Sequence, residues 1–313
     1  MRHNIQYING NYFVKISGWD KSYRALRYDD PIFRSEFPDS IDIKITNSCS
    51  IGCYYCHESS VHNGKHFNQE RTKNILSGLP KVGIELAIGG GDILEIPKEE
   101  LINFLIWCND NKFLTRVTIN IKDFLDPDKL NYINQLSDLV EAFGISIDNS
   151  ENYDLAKLML NAGLYKNKIV YHIIAGIFPI SQLKDLLYTE PRNILILGYK
   201  NWGRGKYINP DLTDWKEKIA EIIYTQLSKS NCNKFNGINL SFDNLAIEQL
   251  DINKTLIDNE WSKFYMGPEF SHSMYVDAVS EVFAPTSRSS IRDRWEDWEN
   301  NIVNYYKNNR IND

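Results

Sequence analysis

Cys49, Cys53 and Cys56 fall within eight residues and carry the spacing C-x3-C-x2-C. The thiolate is the metal-binding form of cysteine, and three on one short loop suit three irons of a [4Fe-4S] cluster, which normally takes four cysteines when closed. The missing fourth ligand leaves one iron open to an exogenous chelator, a vacancy that the amino and carboxylate groups of S-adenosylmethionine (SAM) suit. The competing reading is a structural zinc held by the three cysteines and His57, although such sites usually draw ligands from two separated loops. Cys108 and Cys232 stand alone, and an odd, clustered set of five reads as metal ligands rather than a disulfide framework.

Such a loop needs a scaffold to hold it. Ile41 to Thr46 is a short β-branched run that ends directly before the cysteines. Similar runs recur at Ile84 to Ile88, Arg116 to Asn120, Phe143 to Ile147, Ile169 to Ala175 and Ile194 to Leu197, with room for one helix between each. Six βα units in series imply an α/β fold, a full or partial (β/α)6 barrel whose strands are parallel. Leu101, Phe104, Leu105 and Cys108 lie at i, i+3, i+4 and i+7, so Cys108 is expected to pack in the core. Upstream, an Asn9-Gly10 pair between β-rich runs predicts a hairpin in an N-terminal β-ribbon, followed by a connector carrying Pro31 and Pro38. Downstream, the pattern predicts a helix over 211–227, a strand over 238–242, a short helix near Asn244, a hairpin over 273–283 and a last helix over 291–306 carrying Trp295, Trp298, Ile302 and Tyr305. The expected domains are a ribbon and connector over 1–40, the barrel over 41–230 and an α+β extension over 231–313.

The cysteine loop following the first strand resembles that of the radical SAM superfamily, whose signature is C-x3-C-x-aromatic-C with Tyr55 in the aromatic place. The resemblance implies one [4Fe-4S] cluster, reductive cleavage of SAM and hydrogen abstraction from a substrate by the 5′-deoxyadenosyl radical. Gly89-Gly90-Gly91-Asp92, after the second strand, is similar to the family's Gly-Gly-Glu motif for the SAM amino group, with Gly91 where glutamate is common. That departure moves the expectation to the backbone of Gly89 to Gly91, with Asp92 as a side-chain partner. At the matching strand ends, the resemblance implies Asn120 and Ser146 against the SAM methionine or ribose, and the backbone of Leu197, Gly198 and Tyr199 against adenine. The loop after the sixth strand supplies Lys200, Arg204 and Lys206, whose cations could hold a SAM or substrate carboxylate. His57, Glu58, His62 and His66 flank the cluster loop as candidates for proton transfer, and Cys232 is a candidate hydrogen-atom donor.

Composition narrows the function further. With 313 residues, 42% hydrophobic and 24% charged, and a formal charge of −6, the chain reads as a folded protein without the basic balance of a nucleic-acid binder. It has no apolar stretch of signal-peptide or membrane-spanning length, so the cytoplasm is the expected location and no membrane partner is expected. No cysteine follows Cys232, which leaves none for auxiliary clusters in the C-terminal part. Compact length and one cluster resemble the peptide maturases called spliceases, which excise a tyramine unit from a ribosomally made precursor and leave a β-amino acid. That likeness implies a precursor peptide, a small peptide-recognition adaptor and a reductant such as flavodoxin or ferredoxin as partners. Edge strands of the ribbon and of the 273–283 hairpin, beside the barrel mouth, are expected to seat the peptide. The alternatives are a radical SAM enzyme acting on a nucleotide or other small molecule, held by Lys200, Arg204 and Lys206, and a zinc-binding interaction protein.

Overall fold

The computed structural model describes residues 4–17, 21–26, 33–148, 152, 154–156, 158, 168–188, 193–228 and 238–311; Cys232 and Pro31 lie outside them. Strands β4 (Ser40–Thr46), β5 (Glu85–Gly90), β6 (Leu114–Asn120), β7 (Ala142–Ile147), β8 (Ile169–Ile174) and β9 (Asn193–Leu197) pair in sequence order, every pair parallel. These are the six strands expected from the sequence. β10 (Asn239–Phe242) continues the series parallel to β9.

Helices α1 (Gln69–Ser77), α2 (Lys98–Asp110), α3 (Pro127–Leu136) and α4 (Ile180–Tyr188) lie along the chain between these strands. Local chemistry starts them. Asn68 accepts a hydrogen bond from the Arg71 N–H, and Asp126 accepts from the N–H groups of Asp128 and Lys129, with Pro127 opening the helix where no donor is needed. The apolar stripe of α2 buries Leu101, Phe104, Leu105 and Cys108 completely. Cys108→Ala is therefore expected to leave iron content and SAM cleavage unchanged and to cost about 1 kcal/mol of stability, read from denaturant midpoints. A variant that folds but holds no iron would contradict a packing role.

The C-terminal part departs from expectation in two ways. The hairpin forms, but its first strand, β11 (Ser273–Asp277), inserts into the main sheet parallel to β4; β12 (Val282–Ala284) and β13 (Asp293–Arg294) follow antiparallel. The result is a ten-stranded open sheet with β10 and β13 at its ends, so β11 offers no free edge to a peptide. The single helix expected over 291–306 is instead β13, a tight turn over Trp295–Trp298 and a helix over Ile302–Asn309. Glu299 and Asn300 both take left-handed backbone angles (φ 53° and 54°), which no continuous helix can include. The aromatic face nevertheless docks: Trp295, Ile302 and Tyr305 are buried.

The ribbon, β1 (Asn4–Asn9), β2 (Tyr12–Ser17) and β3 (Lys21–Leu26), forms a separate antiparallel sheet. Asn9 donates to Phe37 O and Asp39 Oδ1, and Tyr12 to Asp39 Oδ2, so the ribbon docks at the residue just before β4. That is the N-terminal end of the barrel strands, opposite the cysteine loop. The expectation that its edges lie beside the mouth is therefore corrected.

Candidate active site

Along β4 the pleat alternates: Ile41, Ile43 and Ile45 are buried, while Asp42 and Lys44 line the lumen. The same alternation aims Glu85, Ala87 and Gly89, then Arg116, Thr118 and Asn120, then Gly144 and Ser146, into one cavity of about 670 Å³. Cys49, Cys53 and Cys56 line its upper part, in the loop following β4. Burial pushes the thiols of Cys49 and Cys53 up, so they favour the protonated form until a metal replaces the proton.

The loop is clamped from four sides. Glu95 accepts from the Ser50 N–H at 2.6 Å and from the Ser48 hydroxyl. Arg204 donates from Nε to Cys53 O at 2.9 Å and from Nη1 to Ser60 O at 2.8 Å, while its own N–H reaches Cys56 O at 3.0 Å. The Tyr55 hydroxyl donates to Asp148 Oδ2 at 2.7 Å, with burial, then the neighbouring Cys53 and Asp148, holding its proton on. From above, Lys44 bridges Glu58 at 2.8 Å and Asp277 of β11 at 3.2 Å, and Tyr275 donates to Glu58 at 3.1 Å. Burial alone would lower the Lys44 ammonium, yet the two carboxylates raise it; burial likewise opposes the Glu58 charge, which His57 and Lys44 restore.

Several expected contacts are already spent within the protein. Asp92 caps the turn over Ile93–Glu95 by accepting from the Leu94 N–H and pairs with Lys129 at 2.6 Å, which also holds Asp123, so it is not a free partner for a ligand amine. The Gly91 N–H donates to Thr46 O and the Asp92 N–H to Ser48 O. The glycine run is thus welded to the cluster loop by its own backbone. Gly198 N–H donates to Asp243 and Tyr199 N–H to Gln249, so these two donors are spent, while Gln249 donates to Tyr199 O and Leu197, Gly198 and Tyr199 line the cavity. Asn120 and Ser146 line it too, the Asn120 Oδ1 accepting from the Lys122 N–H.

Among the expected cations, Lys200 lines the cavity and donates to Ser287 Oγ at 2.8 Å. Arg204 serves the loop instead, and Lys206 stands exposed over the Tyr207 ring, so the trio expected to hold a phosphate does not converge. His57 lines the cavity beside Glu58; His66 hydrogen-bonds Thr46 Oγ1, and His62 is exposed. Sequence reasoning missed Glu95, Lys44, Asp277, Tyr275 and Gln249, none of which carries a spacing signal.

The donors fit a cluster better than one ion. Three thiols share one loop and one cavity, and no second loop adds a cysteine to them among the described residues. A cluster asks each thiolate for a separate iron.

Deeper in the lumen, Asp42 lines the cavity and is exposed to it. Burial, offset by Lys200, raises it to about 6. A carboxyl raised in the folded state destabilises the fold above that value and costs nothing below about 4, where folded and unfolded chains are both protonated. Asp42→Asn is expected to stabilise the protein by about 1 kcal/mol at pH 8, allowing for cavity water, with the gain vanishing near pH 4. Paired melts at the two pH values measure it, and an equal effect at both would refute it.

No family model matches the chain. Over 248 residues it is 25% identical to MJ0907, an uncharacterized protein of Methanocaldococcus jannaschii, covering 72% of this chain and 83% of that one. In fold it is similar to Streptococcus suis SuiB bound to the precursor peptide SuiA, with a TM-score of 0.62 and 14% identity, covering 88% of this chain and 65% of that one. SuiB bound to S-adenosylmethionine gives 0.59 and 15% identity, covering 88% and 66%. The chain spans about two thirds of the length of SuiB. The expected partial barrel is therefore the fold shared with SuiB, here left open.

Proposed function

From that shared fold we propose that the chain is a radical SAM enzyme that acts on a ribosomally made precursor peptide, by splicease-type excision of tyramine to leave a β-amino acid. The observation that carries the first half is the set of three cavity-lining thiols on the loop after β4. Cys49, Cys53 and Cys56 would hold the cluster, while Glu95 and Arg204 fix the loop that presents them. When bound and reduced, the cluster supplies the electron that cleaves SAM to methionine and a 5′-deoxyadenosyl radical. Asn120 and Ser146 offer polar atoms to the methionine or ribose, and Leu197 an apolar wall to adenine.

The peptide half is supported by the likeness to SuiB bound to a precursor peptide and by the dispersal of Arg204 and Lys206, which weakens a phosphate-holding mouth. A small adaptor would recognise the precursor, and flavodoxin or ferredoxin would supply electrons in the cytoplasm. Anaerobic purification should give iron and sulfide near four each per chain. Co-expression with candidate precursors should then yield a peptide lighter by a tyramine unit, read by mass spectrometry. One zinc per chain would defeat the enzyme reading, and iron-loaded protein that cleaves SAM yet changes no precursor would defeat the peptide reading.

A further inference from the structure

The lower lumen holds a carboxylate to which no side chain among the described residues is bonded. Asp42 lies four residues before Thr46 at the end of β4, about 13 Å down the barrel from the mouth at a strand rise of ~3.3 Å per residue. Its carboxylate makes no hydrogen bond and no ion pair among the described residues, although it faces the cavity. The groups around it are committed elsewhere. Glu85 pairs with Arg116 at 3.0 Å, Asp243 accepts from the N–H groups of Gly198 and Ala246, and Lys200 leans on Ser287. His172, whose ring lies where a Gly144 side chain would otherwise stand, is kept neutral by burial and by Arg116. With Glu85 and Arg116 cancelling, and Lys200 set against both Asp42 and Asp243, the floor keeps a net negative charge beside neutral hydrogen-bonding groups from Asn193, Asn239 and Ser241.

We propose that the barrel floor is a specificity pocket for a cationic side chain, an ammonium or guanidinium, seated on the Asp42 carboxylate. A ligand cation that enters the cavity can neutralise this carboxylate and donate hydrogen bonds to it, contacts that are stronger in a recess than in open water. An anionic head group would be repelled, and an aliphatic one would leave Asp42 unpaired. This rests on the peptide-substrate reading: a lysine or arginine of the precursor would enter the barrel while the reacting atom stays near the cluster.

The test needs neither SAM cleavage nor the natural substrate. N-acetyl-lysine methylamide is titrated into the full-length, anaerobically purified chain, with the Asp42 carboxyl carbon followed by NMR and assigned by its loss in Asp42→Asn. The expected result is saturable binding, a downward shift of the Asp42 titration midpoint, and affinity about tenfold weaker in Asp42→Asn, in line with a hydrogen bond to a charged group. The norleucine analogue should leave the Asp42 resonance unmoved. Equal affinity in wild type and Asp42→Asn, no response to the lysine probe at its highest soluble concentration, or preference for N-acetyl-tyrosine methylamide would each overturn the pocket. Protein that binds the probe at Asp42 but never cleaves SAM would retain the pocket and lose the enzyme reading, so the two failures are separate.

Discussion

Cys53→Ala protein is expected to purify folded but nearly free of iron, and to form no detectable 5′-deoxyadenosine from SAM under dithionite. The reason lies in what each part of residue 53 does. Its carbonyl accepts from Arg204 Nε and from the Cys56 N–H, contacts that an alanine keeps, so the loop should hold its course. Its thiol is one of three donors on the loop, and two remaining thiols leave a second iron of the cluster unligated. Cys108 cannot substitute, because it is fully buried on α2. Melting curves separate loss of metal from loss of fold. Continued formation of 5′-deoxyadenosine by this variant would end the radical SAM reading.

The second large effect concerns the glycine run, where neighbouring residues should behave in opposite ways. A Cβ at Gly91 would stand 2.1 Å from Ser48 O, and at Gly90 it would stand 2.4 Å from Thr46 O with φ at +118°. Both obstacles are backbone, Thr46 at the end of β4 and Ser48 just before Cys49, and cannot swing aside. Gly91→Ala must separate the two segments and break the Gly91 to Thr46 and Asp92 to Ser48 hydrogen bonds, an expected loss of about 3 kcal/mol together with most of the bound iron. A Cβ at Gly89 meets nothing nearer than Thr118 Cβ at 4.0 Å. Gly89→Ala should therefore keep stability and iron while weakening SAM binding, since the added methyl enters the cavity that Gly89 lines. Iron per chain, denaturant midpoints and SAM calorimetry on the pair decide the matter. Equal iron loading in both variants would show that the close approach is dispensable.

The glycine run also shows where reading a sequence stops. Its position after the second strand was legible, and a ligand was the natural reason for its lack of side chains; the structure supplies a different first reason, the packing of one backbone against another. Asp92 was legible as a polar residue at a strand end, but not as the partner of Lys129 on α3, because that ion pair joins residues 37 positions apart. Arg204 was legible as a cation near the mouth, and only the folded chain turns it onto Cys53 O and Ser60 O.

What the sequence alone determined is whatever local chemistry dictates. The thiol spacing, the β-branched runs and the α2 stripe with Cys108 are periodic or contiguous signals, and each comes from steric and solvent preferences acting over a few residues. The tertiary structure alone decided which distant groups meet. It set β11 beside β4, bringing Asp277 to Lys44 and Tyr275 to Glu58, and it docked the ribbon at the far end of the barrel through Asp39. It also left Asp42 without a bonded partner among the described residues, because the pleat fixes which way a side chain points while only the curving sheet fixes what stands opposite it.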